Sequence, residues 1–224
     1  MALSPQPSVA DAFADLGNAE DKGYELGDGS RVAVVGGGPS SSFFAFFLLK
    51  MAQTIDLDIE VDIYEPRSFN YCGPAGCNHC GGIVSESLVQ ILAAEGIVLP
   101  DTVVQRGIES YVVHMDVGDV AIESPVHEMR IAALYRGNGP REGGDTPLES
   151  FDDFLQGMAV DRGARIIRQL VTGFDWEGSR PQLQFADGKT AEYDLVAVAA
   201  GVNSKIIGML AVHPAGFEPP KTTR

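Results

Sequence analysis

Arg31-Val-Ala-Val-Val35, then Gly36-Gly37-Gly38-Pro39, then Ser40-Ser41-Ser42-Phe43-Phe44-Ala45-Phe46-Phe47-Leu48-Leu49-Lys50-Met51: this stretch decides the fold. A short β-branched apolar run, a glycine turn and a long apolar segment read as strand, turn and helix. The helix is apolar on nearly every side, so it is expected to be buried on two faces. A second β-like run, Ile59-Glu-Val-Asp-Ile-Tyr64, closes at Glu65-Pro66 and completes a βαβ unit. Glycine matters here for a physical reason. Without a Cβ, the backbone can approach a pyrophosphate, and the helix N-terminus offers that anion unpaired N–H groups and a positive dipole end.

Gly36 and Gly38 stand where the first two fingerprint glycines belong, with Gly37 between them. Ser41 takes the third position and is small enough for helix–strand packing. Pro39 and Ser40 keep the helix start clear of bulk. An acid that accepts hydrogen bonds from a ribose diol is expected about 20 residues on, at the end of the second strand. Glu65 occupies that place, and a carboxylate there repels a 2′-phosphate. The cofactor expectation is therefore FAD, with NAD as the alternative.

Outward from this unit the pattern changes. Residues 1–30 hold six acids against one Lys and read as an acidic flexible extension. Residues 67–84 are loop-like, and a helix is predicted from Glu86 to Glu95 between Ser85 and Gly96. Residues 102–135 look antiparallel, with Tyr111–Met115 and Val120–Ile122 as a hairpin and Arg130–Tyr135 as a third strand. Ser150-Phe-Asp-Asp153 resembles a capping box opening a helix that ends near Gly163. A strand at 164–167, a meander over 170–193 with an Asp187-Gly188 turn, and the apolar strand Leu195–Ala200 follow.

Composition narrows the function classes. Lys and Arg number 16 against 31 Asp and Glu, a net charge of −15 over 224 residues. Phosphate contacts need clustered cations, so nucleic-acid binding is excluded. The longest apolar run, Phe43–Leu49, is far short of the ~20 residues of a membrane span. Three clustered cysteines do not make a secreted disulfide framework, and the cytoplasm is the expected compartment. Glycine is abundant, 26 of 224 residues, against a usual ~7%.

The order of these motifs resembles flavoproteins with the glutathione-reductase type of FAD fold. Val32–Met51 matches their N-terminal motif, and Glu65-Pro66-Arg67 their second-strand end, where an Arg lies close to the pyrophosphate. Ser150–Leu155 with Gly163–Ile167 resembles the helix and strand before their meander. Asp194-Leu-Val-Ala-Val-Ala-Ala-Gly-Val-Asn-Ser204 resembles their Asp-Leu-Val-Val-Gly-Ala-Asp-Gly-Val-Asn-Ser segment. The p-hydroxybenzoate-hydroxylase and geranylgeranyl-reductase branches are the most similar.

The resemblance implies an α/β, Rossmann-like FAD/NAD(P)-binding three-layer domain with a β-meander and an inserted antiparallel substrate-region sheet. Residues 31–66 and 148–212 would form the FAD-binding domain, 67–147 the cysteine/glycine loop, helix and insertion, and 213–224 a Pro-rich tail. It implies an oxidoreductase acting on a small apolar organic substrate, with Ala200 and Gly201 at the cofactor. Ala200 replaces the family's Asp, and nothing after Ser204 resembles the Gly-Asp segment that contacts the ribityl chain. A partner subunit or a further C-terminal segment is therefore expected to complete the pocket. The competing reading is a non-catalytic dinucleotide-binding subunit.

Cys72-Gly-Pro-Ala-Gly-Cys77-Asn-His79-Cys80-Gly81-Gly82 is the remaining chemical candidate. Cys77 and Cys80 have dithiol spacing. A zinc cage from Cys72, Cys77, His79 and Cys80 is sterically hard on so short a loop, and no metal is expected. By the resemblance, Cys80-Gly81-Gly82 would pass the flavin ring, leaving Cys77, His79 and Cys80 as candidates for catalysis; buried structural thiols are the alternative. His114 could line a substrate face or be an ordinary strand residue. Arg130, Arg136 and Arg141 read as solvated surface.

Overall fold

A computed structural model describes residues 25–69, 82–123, 131–136, 149–177, 180–201 and 204–210. The predicted strand β1 (Ser30–Val35) runs into helix α1 (Pro39–Thr54) and then strand β2 (Ile59–Tyr64). Much later come β8 (Arg165–Ile167) and β12 (Leu195–Val198). These four strands form one parallel sheet in the order β12-β1-β2-β8. Its strands come from before residue 66 and after residue 148, so the intervening chain is an excursion from the sheet.

Side-chain alternation along β1 explains what covers each face. Val32 and Val34 point to one side and pack with Ala45, Leu49 and Ala52 of α1, and with Ala159 of helix α3 (Phe151–Asp161). Ala33 and Val35 point to the other side, toward the antiparallel meander β9 (Val171–Glu177), β10 (Arg180–Phe185) and β11 (Thr190–Glu192). Tyr64, Leu183, Phe185 and Tyr193 fill that second core.

Helix α1 is buried on two faces, as its composition requires. Away from the sheet, Phe46 enters a third core with Leu92, Val103, Leu134, Phe151 and Leu155. This core joins α1 and α3 to helix α2 (Glu86–Ala94) and the small antiparallel sheet β3 (Ile83–Ser85), β7 (Ile131–Leu134) and β4 (Val104–Ile108), in the order β3-β7-β4. Ser85 caps α2 through its hydroxyl, which accepts from Leu88 N at 3.3 Å.

Three expectations change. Among the described residues the antiparallel region is two sheets: β7 pairs with β3 and β4, while β5 (Ser110–Met115) and β6 (Gly118–Glu123) pair only with each other. Ser150 is the N-cap of α3, but its hydroxyl is buried without a partner and makes no capping bond. Arg136 is not solvated. It clamps the buried Asp152 carboxylate through Nε and Nη2, at 2.8 and 2.7 Å. A short helix, α4 (Lys205–Leu210), was not anticipated. Among the described residues, no helix is long and apolar enough to cross a membrane.

Candidate functional site

In an open parallel sheet, ligands bind beyond the carboxyl ends of the strands, where the strand order reverses. Here the chain leaves β1 for β2 on one side and returns as β12 on the other, so the reversal lies at β1. A cavity of about 270 Å³ opens at that place. Each parallel strand contributes to its wall: Val35 and Gly36 from β1, Tyr64 to Arg67 from β2, Leu170 and Val171 beyond β8, and Ala200 and Ser204 beyond β12. Gly36, Glu65, Pro66, Arg67 and Ala200, singled out from the sequence, therefore meet in one cavity.

The three glycines are not equivalent. Gly36 has φ +107°, and a Cβ there would come within 2.6 Å of the Ala199 carbonyl oxygen. This turn allows β1 to end tightly against β12. At Gly37, a Cβ would sit 2.5 Å from Glu65 Cβ and 2.6 Å from Gln156 Nε2. Gly38 is different: its φ is −75°, and a Cβ would meet nothing within 4 Å. Among the described residues, nothing fills the space at Gly38.

Helix α1 begins at Pro39, with Gly38 as its N-cap and no side-chain capping bond. Among the described residues, the N–H groups of Gly38, Ser40 and Ser41 have no acceptor; Ser42 N makes the first helical bond, to Gly38 O at 3.1 Å. Ser41 is fully buried, and its hydroxyl donates to Ala199 O at 3.3 Å. Its small size serves helix–strand packing.

Glu65 is 3% exposed. Its Oε2 accepts from Gly37 N at 3.0 Å, and its Oε1 accepts from both Arg67 N and Arg67 Nε at 3.0 Å. A carboxylate offers about four acceptor directions, so the three bonds within the protein leave room for another donor. The Arg67 side chain is half exposed and lines the cavity, with its guanidinium carbon 5.9 Å from the Phe69 ring centre.

Two residues beside the site, Gln156 and Arg168, had no sequence signal. Gln156 Nε2 donates to Gly37 O at 2.7 Å, and its Oε1 accepts from Arg168 Nη2 at 3.2 Å. Arg168 Nη1 donates to the carbonyls of Glu65 and Arg67. Behind the cavity, Tyr64 donates to Tyr193 at 2.6 Å, and Tyr193 donates to Asp62 at 2.8 Å. Asp62, 2% exposed, also accepts from Arg165 Nε at 2.7 Å. Burial pushes the Tyr64 and Tyr193 phenols up, and for Tyr193 the proton donated to the Asp62 carboxylate adds to the effect.

The remaining candidates fall elsewhere. Gly82 has φ +67°, and the close approach at it is made by the Leu134 carbonyl of β7. Gly201 has φ +81° and follows Ala200. His114 is exposed on β5, its Nδ1 2.8 Å from Asp119 Oδ1 across the hairpin. Cys72, Cys77, His79, Cys80, Gly81, Arg130 and Arg141 lie outside the described residues. Among the described residues, no group of His, Cys, Asp or Glu has metal-holding geometry.

No protein-family model matches the chain, and no curated protein matches it. Solved structures do. The halogenase PltM, solved with phloroglucinol and FAD, aligns over 81% of this chain and 36% of its own, with 15% identity and a TM-score of 0.56. The flavin-dependent brominase Bmp2 aligns over 77% and 38%, with 17% identity and a TM-score of 0.51. The Diels-Alderase PyrE3 of pyrroindomycin biosynthesis aligns over 79% and 33%, with 16% identity and a TM-score of 0.52. The chain thus spans 33–38% of the length of these structures. The likeness establishes a mixed α/β fold shared with flavoenzymes.

Proposed function

We propose that this chain is the FAD-binding portion of a flavin-dependent oxidoreductase, built as a Rossmann-like three-layer domain with a meander. One observation carries the reading: the cavity at the sheet reversal is lined by Gly36, Glu65 and Arg67, and from Gly36 the chain runs into a helix whose first N–H groups have no acceptor among the described residues. Flavoenzymes of the same fold, including one solved with FAD, support it. Identity this low leaves the branch, whether hydroxylase-like or reductase-like, to the proposal.

In this reading Gly38, Ser40 and Ser41 hold the pyrophosphate through backbone N–H groups, since Gly38 leaves the approach clear. The remaining acceptor direction of Glu65 takes a ribose hydroxyl, and Arg67 balances charge at the cavity mouth. Ligand sites commonly enclose about 300–1,000 Å³; at about 270 Å³, this cavity suits the nucleoside end of the cofactor. FAD, when bound, supplies hydride or electron transfer. The substrate class proposed is a small apolar organic molecule. Cys77, His79 and Cys80 are its candidate contacts, and Cys80→Ser should then alter turnover.

The size of the cavity also favours a second reading, in which this chain is a dinucleotide-binding subunit that a partner completes. Reconstitution separates these. The purified chain, mixed with FAD and desalted, should retain flavin at one equivalent and quench its fluorescence. If it binds ADP but not FAD, the subunit reading stands. If it binds neither, both readings fall.

A further inference from the structure

We infer that Gln156 is a positioning residue that sets the anion-binding face of the glycine turn; this rests on the nucleotide reading above. Gln156 sits within α3 and is 1% exposed. The orientation of its amide is determined by its partners. Arg168 can only donate, so the end facing Arg168 must be the oxygen, and the NH₂ end faces the Gly37 carbonyl.

Across a trans peptide, the carbonyl and the following N–H point in opposite directions, and the described residues contain no cis bond. Holding Gly37 O against Gln156 therefore turns Gly38 N–H away from α3, out of the interior. The preceding peptide is fixed separately, because Gly37 N–H is held by Glu65 at 3.0 Å. Gly37 is thus tethered at both its polar groups by buried side chains from two different elements. Glycine has no Cβ to resist peptide rotation. Without the Gln156 bond, the Gly37–Gly38 peptide is free to turn its carbonyl toward the phosphate, where the lone pairs repel it.

The test compares two probes on the full chain: ADP, which carries a pyrophosphate, and adenosine, which does not. Gln156→Met removes the donor while keeping the side-chain length. Its ADP affinity should fall about tenfold or more, while adenosine affinity stays within about twofold. Gln156→Glu adds a second readout. Protonated, the carboxyl donates to Gly37 O as the amide does; ionised, it repels that carbonyl. Its ADP affinity, relative to wild type, should recover on acidification. Should Gln156→Met fail to fold, the pH trend of Gln156→Glu decides. Equal losses for ADP and adenosine, unchanged ADP binding, or a flat pH trend would overturn the inference. A wild-type chain that binds neither probe would instead refute the nucleotide reading itself.

Discussion

Gly37 and Gly38 are adjacent and chemically identical, yet the structure asks opposite things of them. A side chain at Gly37 collides with Glu65 and Gln156; one at Gly38 has open space and ordinary φ. Gly38→Ala should therefore fold with an unchanged thermal midpoint while losing FAD, whereas Gly37→Ala should lower the midpoint. Equal midpoints for the two variants would show that the packing at Gly37 is unimportant. The Tyr64–Tyr193–Asp62 relay makes a second residue-scale prediction. Tyr193→Phe leaves Tyr64 and Asp62 each short of a partner, a loss of about 1–3 kcal/mol by denaturant unfolding.

Alkali tests the same relay. Both phenols have folded pKa values raised above their ordinary 10.0, chiefly by burial. The unfolded phenols ionise first as pH rises, so the relay's stability is complete below about pH 10 and is lost above it. The denaturant midpoint should fall above that pH. The Tyr64→Phe/Tyr193→Phe double variant should fall less; an equally steep decline would assign the effect to other groups.

At the scale of elements, α1 shows why so much was legible. Its strand–glycine–helix order is local, and its all-round apolar sequence forces burial on two faces. Phe46 is the anchor of the outer face, 1% exposed and seated among residues of α2, α3 and the small sheet. Phe46→Ala should remove about 3–5 kcal/mol of stability, checked by chemical denaturation. Glu65 was legible for the same reason, since the fingerprint fixes its distance from the turn. Gln156 was not: it meets Gly37 across 119 residues, and a lone Gln on an amphipathic helix carries no spacing signal. Ser150 shows the opposite failure. The local capping pattern was present, but burial took its hydroxyl out of the cap.

The β5–β6 hairpin illustrates another limit of local reading. Its strands and turn were legible, but not its separation from β7. Tyr111, Val113, Val120 and Ile122 share one face of the hairpin and are each 41–54% exposed. A two-stranded hairpin is marginal by itself. Its amides should exchange with solvent much faster than those of β1 and β2, which lie inside the parallel sheet. Comparable protection in the two places would mean that something covers the hairpin in solution.

The whole molecule gathers its candidate cofactor site from segments far apart in the chain: residues after β1, after β2, after β8 and after β12. Only the parallel sheet, with its reversal at β1, brings these ends to one edge. The glycine excess noted in the composition has a partly mechanical meaning. Gly36, Gly37 and Gly82 each permit backbone or side-chain packing within the protein, and Gly38 is the one in the turn that leaves room outside it. The central claim is that this room belongs to a pyrophosphate. The most direct measurement is a fluorescence titration of FAD with wild-type chain and with Gly38→Ala, each first shown to have the same thermal midpoint. The account predicts saturable quenching by wild type and loss of binding in the variant. Quenching by Gly38→Ala at the wild-type affinity would contradict it.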